Sequence, residues 1–303
     1  MKKYLFLSCI LSAFFCVKSV AKPLMHKMEK TINFAKTNLN EQADDSDALQ
    51  SLLDAGGVVN LPAGRTFNLT KTVYITQNAT IINGNMCKIL YKGNDAAIDF
   101  KSVNAKIYPV RVTMSDLSIE VYNDGAEGIR WKSSYSSLKN CGVVLKGNNQ
   151  TGIELCGDSN GTGSYYNLFE NCFIQGGASK GKTNLYGWRF TWDKSMPSRC
   201  PNANTWIGGR VGQCDVGMYI NGCGNVINHM TAEGTGIAFQ FDNPDSKNGC
   251  IQNRVVMPFI EVCQTAFKYG ANSVGCLATS PFITGVKTLN EDLGKRNQPF
   301  LNQ

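Results

Sequence analysis

Residues 152–155 read Gly152-Ile153-Glu154-Leu155, and this order of small, apolar, variable and apolar residues recurs along the chain. The other copies are Gly128-Ile129-Arg130-Trp131, Gly187-Trp188-Arg189-Phe190, Gly217-Met218-Tyr219-Ile220, Gly236-Ile237-Ala238-Phe239 and Ala266-Phe267-Lys268-Tyr269. A second strand pattern, opened by an asparagine, falls between them at Asn167-Leu168-Phe169, Asn204-Thr205-Trp206, Asn225-Val226-Ile227 and Asn253-Arg254-Val255. Two strand modules that alternate at an irregular period are typical of a solenoid with constant strands and variable loops. We therefore predict an all-β fold, a single-stranded right-handed parallel β-helix over residues 58–285.

The composition agrees with one elongated globular domain. The chain has 303 residues, of which 43% are hydrophobic and 17% charged, which excludes a disordered or collagen-like protein. The formal net charge of +7 comes without a cluster of Lys or Arg, so we expect no nucleic-acid partner.

The first 21 residues have the pattern of a cleaved secretory signal. Lys2 and Lys3 form a charged start, Leu5 to Val17 is an apolar stretch, and Ala21 ends a run of small residues. The alternative is a membrane anchor, but the stretch is short for a span, which needs about 20 residues. We predict a secreted or periplasmic protein without a membrane segment after cleavage. Residues 22–57 are then an arm and a capping helix, and residues 286–303 a tail.

The segments Asp44-Asp45-Ser46-Asp47-Ala48-Leu49-Gln50 and Gly56-Gly57-Val58-Val59-Asn60-Leu61-Pro62-Ala63-Gly64 resemble the start of the pectate-lyase-like superfamily, which includes phage tailspike-type proteins. The resemblance implies that a short helix caps the first coil and that the Leu-Pro-x-Gly stretch opens the solenoid. It does not imply one reaction, because this fold hosts lyases, hydrolases, epimerases, esterases and non-catalytic binders. The chain has neither the Gly-His-Gly pattern of polygalacturonases nor the Arg-x-Pro-x-x-Arg pattern of pectate lyases.

Stacking of the first module predicts a ladder of outward side chains. Its members are Arg130, Glu154, Arg189, Tyr219, Ala238 and Lys268. One interpretation is a groove for an acidic or hydroxyl-rich glycan, in which the arginines bind carboxylates and Tyr219 stacks on a sugar ring. The other is ordinary charge pairing on a solvated sheet. Trp192 belongs to the longest interruption of the repeat, residues 176–202, which is either part of a binding face or a disulfide-tethered loop using Cys200.

The second module predicts a pair of catalytic carboxylates. Counting eight residues on from each opening asparagine places Glu233 and Glu261 on consecutive coils, about 4.8 Å apart. Two carboxylates at that spacing suit a retaining glycosidase, although both can instead be unrelated surface glutamates. Asp215 and His229 fall in the same region. Each is a catalytic candidate or, equally, a polar residue that stabilises a turn.

Ten cysteines remain after signal cleavage, and an exported protein can pair them. Cys141 and Cys172 each follow an asparagine, so we predict that their Cα atoms lie about 5 Å apart on neighbouring coils. No CxxC is present and His26 and His229 are the only histidines, so we expect no metal and no cofactor.

These patterns predict an exported protein that cleaves a polysaccharide as a glycoside hydrolase or polysaccharide lyase. The alternative is a non-catalytic glycan-binding or surface-interaction β-helix. The sequence leaves the glycan, the oligomeric state and the disulfide pairing open.

Overall fold

The structure, a computed structural model, describes residues 43–102, 108–157, 163–192, 200–243 and 250–298. The predicted signal peptide and nearly all of the predicted arm lie outside these residues. Within them the chain winds through parallel strands in three rows, and strands of one row hydrogen-bond to each other along the solenoid.

The strands are numbered β1 to β27 in chain order. The first row is β1 (Val58–Asn60), the starts of β4 (Ile81–Tyr91) and β6 (Thr113–Val121), β8 (Ser137–Lys139), β11 (Leu168–Glu170), β14 (Thr205–Ile207), β17 (Val226–Asn228), β21 (Arg254–Val256) and β25 (Leu277–Thr279). The second row is β2 (Thr66–Leu69), the ends of β4 and β6, β9 (Gly142–Leu145), β12 (Phe173–Gln175), β15 (Arg210–Gly212), β18 (Thr231–Glu233), β22 (Phe259–Glu261) and β26 (Phe282–Thr284).

The third row is a sheet of nine strands. They are β3 (Val73–Ile75), β5 (Ala96–Phe100), β7 (Glu127–Trp131), β10 (Thr151–Gly157), β13 (Tyr186–Trp192), β16 (Val216–Ile220), β19 (Ile237–Phe241), β23 (Thr265–Tyr269) and β27 (Thr288–Asp292). The short strands β20 (Cys250–Ile251) and β24 (Ser273–Val274) pair beside the rows, and a 3-10 turn spans Ala178–Lys180. The parallel β-helix predicted from the repeat is confirmed.

The opening asparagines of the second module form a buried hydrogen-bond ladder. Asn167 donates its side-chain amide to Asn204 at 2.9 Å, Asn204 to Asn225 at 3.0 Å, and Asn225 to Asn253 at 2.9 Å. Each accepting oxygen also binds the backbone N–H of the preceding asparagine, so one side chain satisfies two donors of its neighbour. A buried amide needs such partners, which explains why asparagine recurs at this corner.

A column of small residues lines the third row, because the neighbouring coil lies close to it. A Cβ at Gly187 would lie 2.4 Å from the carbonyl oxygen of Gly217, and one at Gly217 would lie 2.6 Å from that of Ala238. Ala238 is the next member of the column after Gly217, because Met218 pairs with Phe239. The predicted placement of Gly236 in this column and of Ala238 on the outer ladder is therefore wrong by two residues. Gly236 instead lies where the chain turns, with the space for its Cβ taken by the carbonyl oxygen of Asp215 at 2.5 Å.

The predicted capping helix is α1, Ser46–Ala55. Leu49, Leu52 and Leu53 bury one face of it against the first coil, and Gly56 ends it with a φ of 61°. At its start, Asp44 accepts the backbone N–H of Ser46 at 3.0 Å. This helix, the only α-helix in the described part of the chain, has ten residues and is too short to cross a bilayer.

The register of Cys141 and Cys172 agrees with the prediction. Lys139 pairs with Glu170 and Gly142 with Phe173, so the two cysteines occupy equivalent positions on neighbouring coils. Both are buried, and each thiol donates to a carbonyl of its own strand, at 3.3 and 3.5 Å.

Candidate functional site

The third row carries the predicted ladder of outward side chains, except that one member differs from the prediction. Arg130 pairs with Glu154, Glu154 with Arg189, and Arg189 with Tyr219, as the stacked modules predict. The next partner is Gln240, which replaces the predicted Ala238 and pairs with Lys268. Ala238 faces the interior and is fully buried.

Arg130 lies inside a cluster of four carboxylates. Its guanidinium contacts Asp95 at 2.6 Å, Glu127 at 3.1 Å, Asp99 at 3.2 Å and Glu154 at 3.4 Å. These contacts use Nε, Nη1 and Nη2, so the donors that we expected to bind a substrate carboxylate already have protein partners.

Glu127 and Glu154 both contact Nε of Arg130 in this cluster. Burial, followed by the negative charge of Glu154, raises the pKa of Glu127 from 4.5 to about 8. Glu154 also accepts a hydrogen bond of 2.6 Å from the Thr191 hydroxyl. Around neutral pH Glu127 therefore holds its proton.

Two further ladder residues, Arg189 and Tyr219, contact the ring of Tyr186. The Arg189 guanidinium lies 5.2 Å from the centre of the Tyr186 ring, and that ring meets Tyr219 edge to face at 6.0 Å. Burial, aided by the charge of Asp242, raises the pKa of Tyr219. Trp192 donates its Nε1–H to Asn221 at 2.8 Å. Tyr219 and Trp192 thus pack into the wall on the same row as the carboxylate cluster.

Glu233 and Glu261 are direct register partners on β18 and β22 in the second row. Ala232 and Ile260, which directly precede the two glutamates, are fully buried. Because side chains alternate along a strand, both glutamates lie on the outer face. Adjacent parallel strands lie about 4.8 Å apart, which sets the separation of the two Cα atoms. The separation of Glu233 and Glu261 that was predicted by counting from the asparagines therefore agrees with the strand pairing.

Arg210 distinguishes the two glutamates. Its Nε and Nη2 lie 2.9 and 2.8 Å from the same oxygen of Glu233, whose side chain is 43% exposed. Among the described residues, Glu261 has no ion pair. The positive charge therefore lies at one member of the pair only.

Exposed phenylalanines adjoin the glutamates. Phe259 opens the strand that ends in Glu261, and its ring stacks on Phe282 of the next coil with centroids 4.9 Å apart. Phe282 is 59% exposed. The outward residues of this surface, named here the Glu233–Glu261 face, are Phe173, Arg210, Glu233, Phe259, Glu261 and Phe282.

Asp215 and His229 lie at turns beside the second row. Asp215 accepts the backbone N–H of Leu185 at 2.8 Å and so holds two coils together. His229 is exposed in the turn between β17 and β18 with a φ of 54°. No hydrogen bond in the described residues joins either side chain to Glu233 or Glu261.

Sequence reasoning missed Arg210 and Glu127. Arg210 stands two residues before Gly212, which also lies eight residues after an opening asparagine and pairs with Glu233. Comparing the first outward position of each strand in the same way would have found Arg210. Glu127 directly precedes the module copy at Gly128, but its contact with Glu154 runs diagonally between neighbouring strands, which the repeat does not display.

The sequence matches no family model and no curated protein. Similar solved structures include an alginate lyase from Paenibacillus sp. str. FPU-7, with a TM-score of 0.45, 13% identity and coverage of 82% of this chain and 97% of that one. PfbA, a surface adhesin of Streptococcus pneumoniae, has a TM-score of 0.48, 13% identity and coverage of 79% and 75%. The tailspike protein of E. coli bacteriophage HK620 in complex with pentasaccharide has a TM-score of 0.45 and 12% identity.

The chain is a parallel β-helix. The match with the tailspike covers 86% of this chain and 62% of the tailspike. At these identities the similarity is one of fold alone. Within the described residues, no three His, Cys, Asp or Glu side chains are placed to hold a metal ion.

Proposed function

We propose that this protein binds a polysaccharide on the Glu233–Glu261 face and hydrolyses it with these two carboxylates, acting outside the cytoplasm. The register pairing of Glu233 with Glu261 carries the proposal. Retaining glycosidases hold their two carboxyl groups about 5 to 5.5 Å apart, whereas inverting enzymes need about 6.5 to 9.5 Å. Side chains that leave adjacent strands in parallel are at the shorter spacing.

The position of Arg210 assigns the two roles. Its guanidinium lies 2.8 and 2.9 Å from one oxygen of Glu233 and fixes the orientation of that carboxylate, which attack on the anomeric carbon requires. Glu233 is then the nucleophile, and the bond between its oxygen and the sugar forms as the glycosidic C–O bond breaks. Glu261 donates its proton to the departing oxygen and afterwards takes a proton from the water that releases the sugar.

The apolar part of the face supplies binding surface. Phe259 and Phe282 expose stacked rings beside Glu261, and Phe173 is 41% exposed on the same row. Exposed apolar patches bordered by charged residues mark interaction sites, and the C–H faces of sugar rings suit such a patch.

A non-catalytic glycan-binding role is the second candidate, and one observation favours it. The Glu233 side chain is 43% exposed on an open sheet surface. Electrostatic catalysis gains from excluding water, and an open face does this only when a ligand covers it.

The experiment is a polysaccharide panel with the mature protein and with a Glu233→Gln/Glu261→Gln double variant. New reducing ends from the mature protein, lost in the double variant, support hydrolysis. Retention of both proteins on a glycan gel without cleavage supports the binding role. Products that absorb in the ultraviolet, or neither binding nor cleavage, overturn the proposal, because a lyase forms an unsaturated uronate and uses different residues.

A further inference from the structure

Two thiols on neighbouring coils lie within reach of each other outside the proposed glycan face. The Sγ atoms of Cys200 and Cys223 are 3.4 Å apart. Asn202, two residues after Cys200, forms a parallel bridge with Cys223, so the backbones are adjacent as well. A disulfide needs the sulfurs about 2.05 Å apart, so the two Sγ atoms must move closer by about 1.4 Å to bond.

The pair is chemically asymmetric. The hydrogen bond that Cys200 donates to Cys223 lowers the pKa of the Cys223 thiol from 9.0 to about 7. The same hydrogen bond, followed by burial, raises the pKa of Cys200. Cys200 is 4% exposed, whereas Cys223 is only partly buried. The accessible thiol is therefore the one that ionises near neutral pH, which is the pattern of an attacking cysteine beside a resolving one.

The other cysteine pairs lack one of these properties. Cys250 and Cys276 have their Sγ atoms 3.9 Å apart, but both are fully buried, so a reagent in solvent does not reach them. Burial raises the pKa of the thiols of Cys141 and of Cys172, the latter to about 12.

We propose that Cys200 and Cys223 form a disulfide when the folded protein meets a low-molecular-weight disulfide, and that Cys223 reacts first. The Cys223 thiolate attacks one sulfur of oxidised glutathione, forms a mixed disulfide and releases one glutathione. Cys200 then gives up its proton, its sulfur attacks the Sγ of Cys223, and a second glutathione leaves. The two cysteines are oxidised, and the glutathione disulfide is reduced to two thiols, which take up both protons.

The product is a covalent link between the segment that begins at Cys200 and the next coil. Asn202 already pairs with Cys223, so the link joins two segments that lie side by side.

The test is to incubate the full chain with oxidised glutathione, block remaining thiols and analyse peptides by mass spectrometry. We expect a cross-linked peptide pair that contains Cys200 and Cys223, two hydrogen atoms lighter than the separate peptides. Mixed-disulfide formation on Cys223 should be about tenfold faster at pH 8 than at pH 6, where an ordinary thiol would change by about a hundredfold.

Single serine variants separate the two roles. Cys200→Ser should leave Cys223 carrying glutathione, and Cys223→Ser should leave Cys200 unmodified because it is buried. Absence of the Cys200–Cys223 cross-link in the unsubstituted chain, or a Cys250–Cys276 cross-link in its place, overturns the proposal. Glutathione on Cys200 in the Cys223→Ser variant overturns the assigned order.

Discussion

Arg210 donates both Nε and Nη2 to a single oxygen of Glu233, at 2.9 and 2.8 Å, and leaves the other carboxylate oxygen without a bond from it. The guanidinium therefore fixes the orientation of Glu233 while one oxygen stays available to a ligand. If Glu233 is the nucleophile, Arg210 is a positioning residue whose loss affects the chemical step.

The first prediction concerns Arg210→Gln. We expect kcat on the polysaccharide found in the panel to fall about tenfold to a hundredfold with a smaller change in KM, because the substitution removes a fixed charge at the nucleophile. Lys139→Gln is the matched control, since Lys139 forms an equally exposed ion pair with Glu170 on the first row. An equal loss in both variants, or a change in KM alone, would show that Arg210 only supports the surface.

The second prediction concerns the asparagine ladder. Asn225→Ala should lower the free energy of unfolding by about 3 kcal/mol, because the side-chain amide and the backbone N–H of Asn204 both lose their acceptor in the interior. Chemical denaturation measures this. Asn228→Ala, three residues on and not buried, should change it by less than about 0.5 kcal/mol. Similar values for the two variants would mean that the ladder does not stabilise the coils.

The third prediction concerns pH and Glu127. Its pKa is raised from 4.5 to about 8 in the folded chain, so the folded state holds a proton that the unfolded state releases. The stabilisation of the folded state by protonated Glu127 is full below pH 4.5 and is lost as the pH rises through about 8. In the Glu127→Gln variant, Tm should therefore fall less between pH 4.5 and about pH 8 than in the unsubstituted chain. At about pH 9 the variant should be the more stable of the two.

The control for this pH series is Glu170→Gln, whose Tm curve should run parallel to that of the unsubstituted chain. If Glu127→Gln also runs parallel, Glu127 is ionised in the folded protein over this pH range and burial does not raise its pKa.

The fold and the Glu233–Glu261 pairing could be predicted because a parallel solenoid converts sequence spacing into spatial register. The buried asparagines mark the same corner in each coil, so counting from Asn225 and Asn253 places both glutamates correctly. The count from the small residues failed at Gly236, because glycine occurs both in the close-packed column and at turns, and only packing distinguishes the two.

Only part of the carboxylate cluster around Arg130 could be predicted. The predicted ladder places Glu154 beside Arg130, and Glu154 is its direct register partner on β10. Asp99 is the register partner on the other side, from β5, whereas Asp95 precedes β5 and Glu127 lies three residues before Arg130 on β7. These three carboxylates lie outside the repeated modules from which the ladder was counted, so the repeat does not indicate them.

The most direct test of the catalytic pair is azide rescue of Glu233→Ala and Glu261→Ala, with Glu170→Ala as the control. Azide is small enough to take the place of a missing carboxylate. We expect both glutamate variants to lose turnover of the polysaccharide. On an aryl glycoside of the same sugar, whose leaving group departs without a proton from Glu261, azide should restore turnover, and the glycosyl azide should be inverted with Glu233→Ala and retained with Glu261→Ala. Full activity of either variant without azide would contradict the proposed catalytic pair.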